Sequence, residues 1–190
     1  MAKRIALITG ATSGIGEATA RLLASTNFDL ILCGRRKDRL QKLTAELASL
    51  TRIHTLSFDV RDQQQTTSQI ASLPDDWKNI EVLINNAGNA HGLDPIQQGS
   101  VEDWDAMLDI NVKGLLYVTK AVLPVMVANN RGHIINIGSI AGKEVYANGN
   151  VYCASKFAVD ALTKGMRIDL NAHGIKVTGI HPGMVETEFS

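Results

Sequence analysis

Cysteine is scarce: Cys33 and Cys153 are the only two in 190 residues. They lie far apart, which excludes a disulfide framework and fits a reducing, cytoplasmic compartment. Neither sign of charge is in excess, since nineteen Lys and Arg stand against nineteen Asp and Glu. No field therefore favours nucleic acid or an anionic membrane, and a small, locally recognised ligand is the expected partner. Long apolar runs are missing too. The opening "MAKRIALITG" is too short for a signal peptide, and no stretch is expected to reach membrane-spanning length. His54, His91, His133, His173 and His181 show no HExxH or other close ligand spacing, so no metal is expected. There are no repeats, low-complexity segments or long linkers, and the length suits one domain.

What is present is alternation. With 45% hydrophobic residues the chain can build a sizeable core. Short apolar, β-branched runs read as strands at 4–9, 29–34, 53–60, 80–88, 132–139 and 175–183. Helical patterns fill 14–25, 37–50, 62–72, 101–128 and 151–172. Trp104, Met107, Leu108, Val112, Leu115 and Leu116 carry the apolar face of the fourth of these, and Pro124 is expected to kink or end it. Strands that are apolar throughout are buried on both faces. Strand–helix alternation with right-handed crossovers gives an α/β fold, a doubly wound parallel sheet of Rossmann type in a three-layer α/β/α sandwich.

"TGATSGIG" (9–16) sits between the first strand and the first helix. Gly10 permits a tight turn, and Gly14 and Gly16 allow close approach of a phosphate to a helix N-terminus. With Thr12, Ser13 and Ile15, they form the expected pyrophosphate cradle of a dinucleotide. About twenty residues on, a NAD site carries an acidic residue for the ribose hydroxyls. Here "LCGRRKDR" offers Arg35 and Arg36 instead, a pair suited to the 2′-phosphate of NADP(H). Surface arginines opening an amphipathic helix would look the same. Asp59, ending the third strand, fits two roles, an acceptor for the adenine amino group or a cap for the following helix.

Ligands of an open α/β sheet bind at the carboxyl ends of its strands. Ser139 ends the fifth strand there, and Tyr152 and Lys156, four residues apart, share one face of the helix that starts at the same rim. These residues suit carbonyl–alcohol interconversion by a nicotinamide. A tyrosine has an ordinary pKa near 10, and a lysine ammonium one turn away favours the phenolate. Lowering that pKa by two to three units takes about 3–4 kcal/mol, to be shared between Lys156 and the nicotinamide charge. Ser139 would hydrogen-bond the substrate oxygen. Cys153 reads as packing.

In order along the chain, TGxxxGxG at 9–16, "NNAG" at 85–88, Ser139, YxxxK at 152–156 and "PG" at 182–183 resemble the short-chain dehydrogenase/reductase family. The resemblance implies four catalytic residues, Asn111, Ser139, Tyr152 and Lys156, with Asn111 distorting its helix and holding a water. It implies cofactor contacts at Asp59 and Val60 (adenine), at Asn86, Ala87 and Gly88 (ribose), at Tyr152 and Lys156, and at Pro182, Gly183, Val185 and Thr187 (nicotinamide amide). The stretches at 72–88, 100–115 and 131–142 are similar to NADP-dependent 3-hydroxy acid dehydrogenases, including those acting on serine or allo-threonine. 3-Oxoacyl thioester or other ketone reductases, and a non-catalytic NADP-binding sensor, share most of the motifs. Ser139 and Tyr152 are the substrate residues so implied, with Ile140, Lys143, Tyr146 and Asn148 as further candidates. Family members continue for roughly sixty more residues, so residues 1–190 are expected to form a single dinucleotide-binding catalytic domain without the family's lid and last strand. The helices at 101–128 and 151–172 would pair between subunits in a homodimer or homotetramer.

Overall fold

The structure, a computed structural model, describes residues 3–188. Six parallel strands, β1 (Arg4–Thr9), β2 (Phe28–Gly34), β3 (Ile53–Ser57), β4 (Ile80–Asn85), β5 (Gly132–Ile137) and β6 (Ile175–Ile180), lie in the order β3-β2-β1-β4-β5-β6. The chain moves outward from β1 to β3, then crosses back to β4, so the sheet reverses direction between β1 and β4. Strand pairs are in parallel register, Leu7 opposite Ile31 and Leu83 opposite Ile134. This is the doubly wound fold that the alternation predicts. Its crevice opens where the carboxyl ends of β1 and β4 diverge.

Successive side chains of each strand feed opposite cores, because the strand period is two. Leu7, Ile31, Leu83 and Ile134 pack with Val118, Val122 and Met126 on one face. Ala6, Ile8, Leu30 and Leu32 pack with Ala20, Leu40, Leu43 and Leu47 on the other. The first face is covered by α3 (Gln63–Ala71), α5 (Leu115–Ala128) and α6 (Asn150–Leu170), the second by α1 (Gly14–Ala24) and α2 (Lys37–Leu47). Each fully buried aliphatic side chain contributes about 1.5–3 kcal/mol. On the second face α1 and α2 pack over β1 to β3. Over β5 and β6, Ile135 and Ile137 are only half-buried, and Lys176, Thr178 and Ile180 are exposed.

Several element ends differ from expectation. β3, β4 and β6 end at Ser57, Asn85 and Ile180, three residues early in each case, because the chain turns away at the carboxyl edge to build the crevice rim. Pro124 lies inside α5 without ending it. The irregularity falls upstream, where α4 (Val101–Leu108) joins α5 through a π-helical turn, Asp109–Gly114, that contains Asn111. The continuous helix Val101–Ala128 is 28 residues long with a mean hydropathy of 1.4 in its most apolar stretch, enough by length and composition alone to cross a membrane. That corrects the expectation that no stretch reaches such a length. Its apolar side chains Val118, Val122 and Met126 are spent on the sheet core.

Candidate active site

The rim between β1 and β4 is laced by side chains. The Thr9 hydroxyl accepts from the amides of Asn86 and Ala87, both at 3.0 Å. Asn86 Nδ2 donates back to the carbonyls of Thr9 (3.0 Å) and Gly10 (3.1 Å). Gly10 and Gly14 have φ of 62° and 54°, where a side chain would be strained. A Cβ on Gly16 would run into the Gly10 carbonyl and the Asn86 side chain. The predicted glycines, Thr12, Ser13 and Ile15 thus form one turn leading into α1, and the "NNAG" segment is its opposite wall.

Below that wall lies a buried amide clamp. Asn111, 2% exposed, accepts from the Asn89 amide at 2.8 Å and donates to the Asn89 carbonyl at 2.9 Å. The same Nδ2 donates to Ser155 Oγ at 3.0 Å, and Ser155 Oγ donates to the Tyr152 carbonyl at 2.7 Å. Asn111 therefore joins the π turn, the loop after β4 and the first turns of α6. A second buried chain sets the heights of α5 and α6. Asn85 donates to Thr119 Oγ1 and to Asn136 Oδ1, each at 2.9 Å, and Asn136 donates to Thr163 Oγ1 at 3.0 Å. Asn89, Asn136 and Ser155 escaped sequence reading, and Thr9 and Asn85 stood in the 9–16 and 85–88 motifs with no role assigned, because each acts on backbone or side chains distant in the chain; only the unusual buried polarity of the strand ends hinted at them.

Ser139, Tyr152 and Lys156 converge as predicted. Ser139 opens a short 3₁₀ turn, its Oγ accepting from the Ala141 amide at 3.1 Å, and its side chain is hydrogen-bonded to the Tyr152 phenol. Lys156 is buried; its Nζ donates to the Ile137 carbonyl at 3.1 Å and sits 5.8 Å from the centroid of the Tyr152 ring. A methyl on Gly88 would lie 3.1 Å from Asn111 Oδ1 and 3.6 Å from Lys156 Nζ, which fixes how tightly these elements meet. The expected lowering of the Tyr152 pKa is not found. Burial raises the phenol and outweighs the opposing hydrogen bond from Ser139. Burial also pushes Lys156 down to about 8. The phenol is accordingly protonated at neutral pH.

The arginines divide. Arg36 donates to Thr12 Oγ1 at 3.2 Å and, through its other nitrogen, to Glu188 at 3.2 Å. Arg35 is 62% exposed in its side chain and lies 3.6 Å from Asp59. Asp59 is not the cap of α3; Asp62 is, accepting from the Gln65 amide. Asp59 instead accepts from the Arg61 guanidinium at 2.7 Å and from its amide at 3.0 Å. Burial works to raise Asp59, and the Arg61 bonds override it to hold the carboxyl low. Val60 packs on the π turn, where a Cβ on Gly114 would meet it at 2.7 Å.

At the far wall, the Ile140 amide donates to the Pro182 carbonyl at 3.0 Å, and Gly183 follows beside Ile140. Val185 is exposed, and Thr187 lies against Gly14. Of the further substrate candidates, Ile140 and Tyr146 are exposed, and Asn148 shares a cleft beside Tyr152 with His91, Asp94 and Asp103. Lys143 turns away: it is paired with Asp160 at 2.6 Å, which also binds Lys164 at 2.7 Å and is held down at about 2 by those two lysines. Among the described residues, no three His, Cys, Asp or Glu side chains are placed to hold a metal.

Comparison with known proteins agrees with this geometry. The family model described as short chain dehydrogenase matches residues 4–190. NADP-dependent 3-hydroxy acid dehydrogenase YdfG of Salmonella typhi is 50% identical over 187 residues, 98% of this chain and 75% of the relative. Sulfoacetaldehyde reductase 2 of Chromohalobacter salexigens is 46% identical, covering 98% and 74%. A closed form of serine dehydrogenase solved with NADP+ superposes with a TM-score of 0.92 at 49% identity, covering 97% of this chain and 74% of that one. The chain belongs to the short-chain dehydrogenase family.

Proposed function

We propose that the chain is an NADP-dependent oxidoreductase that interconverts the hydroxyl and keto forms of a small 3-hydroxy acid. The observation that carries this reading is the hydrogen-bonded Ser139–Tyr152 pair with buried Lys156 alongside, held on the frame that Asn111 ties together. The residues at the crevice fit a phosphate-bearing dinucleotide. Gly10 and Gly14 take left-handed backbone that opens the turn, and β2 ends in Arg35 instead of an acidic residue, with its guanidinium well exposed 3.6 Å from Asp59 and suited to a 2′-phosphate. NADP(H), when bound, supplies or accepts the hydride.

The protein's own part is proton handling and orientation. In reduction, Tyr152 gives its phenolic proton to the oxygen that receives charge as the carbonyl becomes an alcohol. Ser139 donates a hydrogen bond to the same oxygen and positions it. Lys156, charged at neutral pH with a pKa of about 8, stabilises the phenolate left behind. Oxidation reverses each step. Asn111 holds the loop carrying Asn89 and the start of α6 in register, so that Tyr152 and Lys156 face the same space. The coenzyme wall is formed by Asn86, Ala87 and Gly88 on one side and by Pro182, Gly183, Val185 and Thr187 on the other, with Asp59 and Val60 at the adenine end.

The substrate class rests on relatives whose names share one chemistry, a small anionic molecule with its hydroxyl or carbonyl close to the charge. We place residues 1–190 in one catalytic domain, in the cytoplasm, in keeping with two buried free thiols. Leu116, Phe157 and Ile168 leave apolar surface on α5 and α6, with Ile168 79% exposed, which supports pairing of subunits in a homodimer or homotetramer. The test is the ultraviolet absorbance of reduced nicotinamide during turnover of L-serine, L-allo-threonine and 3-hydroxypropionate with NADP and with NAD. Turnover with NADP is expected, and Tyr152→Phe is expected to lower it by about 10²–10⁴. Full activity in that variant would refute the proton-donor role.

A further inference from the structure

Residues 181–188 leave β6 at the edge of the sheet and run back across the carboxyl ends of its strands. Their start is fastened by backbone. The Gly138 amide donates to the Ile180 carbonyl at 2.7 Å, and the Ile140 amide donates to the Pro182 carbonyl at 3.0 Å. The segment then passes the glycine-rich turn, where a methyl on Gly14 would come within 3.1 Å of Thr187 Cβ. One residue later Glu188 reaches the start of α2. Its Oε2 accepts from Arg39 Nη1 at 2.6 Å and from Arg36 Nη1 at 3.2 Å. In the strand order β3-β2-β1-β4-β5-β6, this strap begins at β6 and ends at the helix after β2, so it spans the point where the sheet reverses. Met184 and Val185, between its ends, are exposed.

The two fastenings are unequal. The first is made of buried-side backbone bonds next to Ser139, the second of three charged side chains that are each 38–57% exposed. Exposed ion pairs are weak and are screened by salt. A fastening of that strength at one end only suits a strap that must open and close.

We propose that Glu188, Arg36 and Arg39 form a clasp that holds residues 181–188 across the coenzyme crevice and sets the rate at which coenzyme leaves. The inference rests on the NADP(H) reading above. It separates the two predicted arginines. Arg36 is committed at both ends, to Thr12 and to Glu188, while Arg35 is untouched by Glu188 and keeps its guanidinium exposed. Choice of coenzyme therefore falls to Arg35, and retention to the clasp. Glu188 is held below the usual carboxylate range by Arg39 and Arg36, so it stays ionised across the working pH range.

The test compares the unaltered chain with Glu188→Gln and Arg39→Gln, following release of NADPH and of NADH by stopped-flow fluorescence on displacement. Both variants are expected to release both coenzymes faster, Glu188→Gln by about 3- to 10-fold. The factor should be the same for NADPH and NADH, the double variant should match Glu188→Gln, and high salt should erase the difference. Without coenzyme, backbone amides of residues 183–188 should exchange faster in both variants. Tighter NADPH binding confined to Glu188→Gln would overturn the proposal, because the carboxylate would then be competing with the 2′-phosphate. Unchanged release rates and unchanged exchange would overturn it as well. Failure of the unaltered chain to bind either coenzyme would overturn the functional reading, and the clasp with it.

Discussion

Lys156→Met should separate the cost of a functional charge from its use. The lysine is 5% exposed, its Nζ donates to the Ile137 carbonyl, and no carboxylate pairs with it among the described residues. Burial moves its pKa from the ordinary 10.5 down to about 8. At about 1.4 kcal/mol per unit, keeping the ammonium charged at neutral pH costs the fold about 3 kcal/mol. Methionine fills similar space without charge but leaves the Ile137 carbonyl without its donor, which costs about 1 kcal/mol. The variant is therefore expected to be inactive and yet more stable than the parent by about 1–2 kcal/mol at neutral pH, the trade expected of an active-site charge.

The pH dependence gives the sign. Between about 8 and 10.5 the folded chain has released a proton that the unfolded chain still binds, so the parent gains stability as pH rises through that window. By about pH 9.5 the gain reaches about 2 kcal/mol, and the advantage of the variant should be gone. Urea unfolding of both proteins at about pH 7 and about pH 9.5 measures this, and all other titrating groups cancel in the difference. An identical difference at the two pH values would refute the argument. So would a variant that is less stable than the parent at neutral pH by more than about 1 kcal/mol.

Three further outcomes are expected. Asn111→Leu strands the amide and carbonyl of Asn89 and removes the donor to Ser155 Oγ in a buried site, and should cost about 2–4 kcal/mol in urea unfolding as well as activity. Arg35→Ala should weaken NADP by about tenfold and leave NAD binding nearly unchanged, read by fluorescence titration. Asp160 is held at about 2 by Lys143 and Lys164, below its ordinary 3.8. Its stabilisation is present above about pH 4 and is lost as pH falls towards 2. With both lysines well exposed this amounts to about 1–2 kcal/mol, and Asp160→Asn should flatten acid unfolding by that amount.

What could be read from sequence, and what could not, divides by the distance over which a residue acts. The strands were legible because a short continuous run of apolar, β-branched side chains is a local pattern, and Tyr152 and Lys156 because four residues is one helical turn. Pro124 misled for the opposite reason. The local rule forbids it, but the helix on both sides is anchored to the sheet through Val118, Val122 and Met126, and the packing carries it across. The break lies instead at Asp109–Gly114, where Asn111 bonds to Asn89 and Ser155, 22 and 44 positions away. The same reasoning governs charge. A lysine beside a tyrosine implies a lowered phenol only if both stay wet. Burial, which sequence spacing does not contain, raises Tyr152 and lowers Lys156 together. The two groups are thereby driven apart from their nearly equal solution values, with the phenol protonated and the ammonium weakly held. A bound nicotinamide cation would favour the phenolate and so offset the effect of burial on the phenol. The proton-transfer step is therefore complete only when coenzyme is present, and a residue that controls how long coenzyme stays, 32 positions beyond Lys156 in Glu188, acts on catalysis without touching the substrate.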